Sequence, residues 1–63
     1  MAKSKWMVLR SREGGKQVYI AYRMLDTERP DRDGNREYFG RYSEDRSAVA
    51  ALVDGLNDRE AAS

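Results

Sequence analysis

Apolar residues recur along this chain in two rhythms, and the change between them at Ser43 limits the fold more than any other feature. Before it, Val18, Ile20, Tyr22 and Met24 alternate with Gln17, Tyr19, Ala21 and Arg23, the two-residue period of a strand with distinct faces. After it, Val49, Leu52, Val53 and Leu56, with Ala48 beside them, fall at three- and four-residue spacing, which gives a helix one apolar stripe. A strand region followed by a single helix is an α+β arrangement. The even-numbered set, Val18 to Met24, is expected to face the core beneath that helix.

Two more segments complete the sheet. Lys5 to Arg10 holds Trp6, Met7, Val8 and Leu9, dense and partly β-branched, and reads as a short strand. Gly14-Gly15 can take positive φ without steric cost, so a hairpin is expected between it and the strand over 17–25. Tyr38, Phe39 and Tyr42 surround Gly40 in a third strand, where the glycine points to a bulge or a close backbone approach. Between the second and third strands, residues 26–35 contain a proline, four acids and Asp33-Gly34 with no apolar residue, the composition of a long, mobile hairpin loop.

Ser43, Glu44 and Asp45 look like a helix start, with a hydroxyl to cap free N–H groups and carboxylates near the positive end of the dipole. Gly55 weakens the helix late and Asn57 is suited to ending it. The expected domain is single, residues 1–63: strands over about 5–10, 17–25 and 36–42 form a three-stranded antiparallel sheet against one C-terminal helix over about 44–57. Its core must be thin, because a chain of this size buries only roughly 60% of its unfolded surface. With neither cysteine nor histidine, no disulfide and no thiolate or imidazole metal site reinforces it. Packing carries the stability, or a partner adds to it.

The same absences narrow the chemistry. Serines 4, 11, 43, 47 and 63 have no imidazole to activate them, so Ser/His/Asp and Cys/His mechanisms are excluded. Asp31 and Asp33 are a carboxylate pair, but in an open loop they read as solvated charge rather than a glycosidase or cation site. Gly14-Gly15 lacks the strand, helix and lysine of a phosphate loop. No catalytic residue, metal, cofactor or small-molecule substrate is expected. No apolar run approaches the roughly 20 residues of a membrane span, and MAKSKW is not a secretory signal; a soluble, cytoplasmic protein without a membrane partner is the expectation.

A net charge of +1 conceals an asymmetry. Residues 1–42 hold ten Lys/Arg against six Asp/Glu, a balance of +4, whereas residues 43–63 hold two against five, a balance of −3. Attraction to phosphate needs a local positive face rather than a positive total, so a basic sheet beside an acidic helix suits a nucleic-acid binder. The strand residues Arg10, Arg12, Lys16, Tyr19, Arg23, Arg36, Tyr38 and Arg41 would supply that face, while Tyr22 and Tyr42 read as core. A sheet covered on one side must be polar on the other whatever its role, and arginine and tyrosine also serve protein interfaces.

Gly15-Lys16 entering the second strand, Tyr22-Arg23, the run Gly34-Asn35-Arg36-Glu37-Tyr38-Phe39-Gly40-Arg41-Tyr42-Ser43, and Asp45-Arg46-Ser47-Ala48-Val49-Ala50 opening the helix carry a resemblance. Across residues 5–57 the chain resembles the AP2-like β-β-β-α DNA-binding domains, which include the amino-terminal arm-binding domain of lambda-type tyrosine integrases. The resemblance implies a sheet face in the major groove of double-stranded DNA, contacted by Arg10, Arg12, Tyr19, Arg23, Arg36 and Tyr38, with the helix behind. An integrase arm-binding module or a small regulator of phage or mobile-element origin would fit. The alternative is a small phage-encoded protein that binds a host protein complex, as an anti-CRISPR protein blocks a defence complex.

Overall fold

The computed structural model describes residues 2–62. Strands β1 (Met7–Glu13), β2 (Lys16–Met24) and β3 (Arg36–Ser43) form an antiparallel sheet in the order β1-β2-β3, and helix α1 (Arg46–Ala62) follows. This is the expected α+β order. One 3₁₀ turn, Asp33–Asn35, leads into β3.

Gly14 and Gly15, at φ 56° and 81°, make a two-residue turn whose twist matches that of the strands. Pairing therefore reaches Glu13 opposite Lys16, and β1 runs three residues further than its apolar content suggested. Its other end starts later, because Lys5 and Trp6 lie outside the ladder. Gly40, at φ 82°, sits in the expected bulge: Ala21 faces Phe39 and Tyr19 faces Ser43, so three residues of β3 oppose Ile20 alone. The bulge turns Tyr42 outward to 45% exposure, so Tyr42 is not core.

The helix begins one residue past its cap. The Asp45 carboxylate accepts from the Ala48 N–H at 3.1 Å, while the Ser43 hydroxyl accepts from the Asp45 N–H at 3.1 Å, so Asp45 and not Ser43 is the cap. The helix passes through Gly55 and Asn57 to Ala62, five residues beyond the expected end. Asn57 does not end it because its amide is engaged elsewhere: Oδ1 accepts from the Trp6 N–H at 2.8 Å and Nδ2 donates to the Trp6 carbonyl at 3.1 Å.

The helix covers the face opposite to the one the alternation suggested. Ala21, 1% exposed, packs with Trp6, Val49 and Val53, and Val8, Tyr19 and Leu56 close around them. The small side chain of Ala21 lets the helix approach the sheet, and the paired register sets Val8 directly beside it. Val18, Ile20 and Tyr22 are buried too, but on the helix-free side, where Met7 and Tyr38 flank Tyr22 and Leu9 flanks Ile20. Leu52, expected in the stripe, is 39% exposed beside Gly40 at the β3 flank. Among the described residues no large side chain is fully buried, as a two-layer body of 36 × 26 × 12 Å dictates.

Candidate functional site

Arg23 extends from β2 beneath the helix and is bound on every side. Its Nε donates to Glu37 Oε1 at 2.7 Å, its Nη1 reaches both Glu60 oxygens at 3.0 and 2.7 Å, and its guanidinium lies 4.5 Å from the centroid of the Trp6 ring. The Trp6 indole N–H donates to Glu60 at 2.8 Å, and Phe39 meets the same ring edge-on at 5.9 Å. Hydrogen bonding from Arg23 holds the Glu37 carboxyl below its ordinary pKa, with Lys3 adding to the effect from 3.6 Å. With its side chain 13% exposed, Arg23 joins helix to sheet.

A second cluster lies on the helix-free side, where the acidic loop folds back. Asp31 Oδ1 accepts from Arg36 Nε at 2.6 Å and Oδ2 from the Tyr22 hydroxyl at 3.2 Å, while Asp33 accepts from the Tyr38 hydroxyl at 3.0 Å. Arg36 also lies 5.1 Å from the Tyr22 ring centroid. The hydrogen bond from Arg36 is the main cause of a lowered Asp31 pKa, and that to Asp31 of a raised Arg36 pKa; burial, then the Asp31 charge, raises that of Tyr22. The loop is tied at its neck rather than open. Buried Asn35 accepts from Asp26 N–H at 2.9 Å through Oδ1, and its Nδ2 donates to the carbonyls of Asp26 at 2.8 Å and Pro30 at 3.1 Å.

The six residues expected on one DNA-facing surface are divided by the structure. Arg36 and Tyr38 lie on the helix-free face with the acidic loop against them. Tyr19 and Arg23 lie on the helix side, a correction that follows from the packing of Ala21 under α1. Arg10 and Arg12 alternate with Met7 and Leu9, so their positions share the register of Tyr19 and Gln17, and both are exposed. Among the described residues Arg10, Arg12, Arg41 and Arg59 form no ion pair, unlike Arg23 and Arg36.

What sequence reading missed is the exposed apolar edge. Tyr38, Phe39 and Tyr42 of β3 stand out at 40–45% exposure, and Leu52 adjoins them across Gly40. Their crowding on an edge strand around one glycine was the available signal. Between β3 and α1 runs a groove lined by Phe39 of the strand, Leu56 and Arg59 of the helix, and Trp6. No protein-family model, curated protein or solved structure matches the chain. Among the described residues no helix is long and apolar enough to cross a membrane, and no acidic cluster is built to hold a metal ion.

Proposed function

We propose that this chain is a non-catalytic protein-binding module that docks its partner along β3. The observation that carries the reading is the exposure of Tyr38, Phe39 and Tyr42 on that edge, continued by Leu52 of the helix. Phe39 faces the helix side and Tyr38 the helix-free side, so the edge presents aromatic rings from both faces, and tyrosine, phenylalanine and arginine are the residue types that anchor interfaces. Arg41 lies within the same stretch and has no carboxylate partner among the described residues. A phage-encoded inhibitor of a host defence complex is one protein of this kind. The test is capture from a nuclease-treated host lysate by the wild-type chain and by a Phe39→Ala, Tyr42→Ala double variant. A protein retained by the first and lost by the second is expected; the same proteins on both would refute the edge.

A second reading, double-stranded DNA binding as an integrase arm module or mobile-element regulator, is favoured by Arg10 and Arg12. Both are exposed, form no ion pair among the described residues and lie on the strand that leads into the hairpin turn. On the helix-free face the row of β2 is Val18, Ile20 and Tyr22, and Arg36 on the same face is already paired with Asp31. On this second reading DNA would be contacted through the Arg10 and Arg12 end of β1. Titration of labelled duplex should show affinity falling steeply with salt and lost in an Arg10→Ala, Arg12→Ala variant; no binding at low salt ends this reading.

A further inference from the structure

The charges around the groove between β3 and α1 are unequally used. Glu60 accepts from Arg23 through both oxygens and from the Trp6 indole through Oε2. Glu37 accepts from Arg23 and pairs with Lys3. Both carboxylates of the groove are thus committed within the fold, and Arg23 is neutralised with them. Arg59, on the rim one residue before Glu60, forms no ion pair among the described residues. The groove therefore offers apolar walls, Phe39 and Leu56, beside one uncompensated cation.

We infer that this groove binds an acidic segment of a partner protein, seating an aromatic or aliphatic side chain between Phe39 and Leu56 and a carboxylate on Arg59. The inference rests on the reading of the chain as a protein-binding module and specifies its partner's chemistry. A guanidinium on a rim gains most from a carboxylate that approaches in its plane, which selects for acidic over basic partners. The acids already present do not repel such a segment as free carboxylates would, because both are paired with Arg23 at 2.7 Å and Glu37 also with Lys3 at 3.6 Å, two cations to two carboxylates. An aromatic or aliphatic anchor, in turn, would cover the exposed ring of Phe39.

Trp6 is the chain's only tryptophan and lines this groove, so its emission reports occupancy. A library of random twelve-residue peptides would be selected on the wild-type chain, and the recovered peptides titrated against it by Trp6 fluorescence. Peptides rich in Asp and Glu with at least one large apolar residue are expected, each shifting the Trp6 emission. Arg59→Glu, checked by circular dichroism to be folded because it removes the cation of the last helical turn, should weaken them about tenfold or more and restore binding when their acids are changed to lysine. Phe39→Ala should weaken them as well. Neutral or basic peptides that still depend on Phe39 would overturn the acidic preference and leave protein binding standing. Peptides indifferent to both substitutions, or none enriched at all, would overturn the groove; the capture experiment on the β3 edge would then decide protein binding by itself.

Discussion

Replacing Asn57 by alanine sets two accounts of this helix against each other with opposite signs. If Asn57 were only a helical position, alanine would be the better residue there by about 0.7 kcal/mol, and the melting temperature would rise. In the structure its amide instead satisfies both backbone groups of Trp6, across 51 residues of chain. Removing the amide leaves the partly buried Trp6 N–H and carbonyl without those partners, at a cost of about 1–2 kcal/mol each. Subtracting the gain in helix propensity leaves a net loss of about 1–3 kcal/mol. A domain of this size has roughly 3–9 kcal/mol in total, so the loss is a large share. Thermal unfolding followed by circular dichroism should show a fall of roughly 5–20 °C. A melting temperature equal to or above that of the wild type would refute the clamp.

Gly55→Ala acts in the other direction: a Cβ there meets nothing within 4 Å, so removing the glycine should stabilise by about 0.5–1 kcal/mol, measured by urea denaturation. Leu52→Ala should cost less than Val53→Ala, since Leu52 is exposed and Val53 lies in the core; equal or reversed losses would contradict the helix register. Asp31 and Glu37 have folded-state pKa values below their ordinary ones, so the stability they lend is complete above the ordinary carboxylate range and is lost as pH falls through the folded values. Asp31→Asn should accordingly lower the melting temperature at pH 7 and flatten its decline below about pH 4; a steep acid limb retained in the variant would assign it to other groups.

The order of elements was legible because each depends on local chemistry. The two-residue period of β2, the paired glycines of the turn and the helical spacing from Val49 are properties of short segments. Which face the helix takes is not. Val18, Ile20 and Tyr22 are buried as their alternation promised, yet Ala21 and Tyr19 are the residues under α1. Period alone cannot choose between two faces that both lose water, and the deciding fact, the fit of a helix over the small Ala21 beside Trp6, involves residues distant in sequence. The placing of Arg23 and Tyr19 on the helix-free face with Arg36 and Tyr38 fell with that choice. The acidic loop was misread for a similar reason. Its composition is that of an open turn, but Asn35 can satisfy several of its backbone groups at once, and Asp31 finds Arg36 and Tyr22 only after the strands have paired. The run Trp6 to Leu9 left the orientation of the first strand open, and only pairing with β2 sets Arg10 opposite Tyr19 and Arg12 opposite Gln17.

The hold of Asn57 and Glu60 on Trp6 also bears on how the chain reaches its fold. Hairpin pairing between β1 and β2 closes only a two-residue loop, whereas this hold joins positions separated by 51 and 54 residues. Bringing such distant segments together has the largest entropic cost of any contact described, so it forms late and slows the transition. During synthesis the indole of Trp6 would lack these partners until Asn57 and Glu60 had emerged, and a nascent chain ending at Gly55 would contain every strand residue but not this closure.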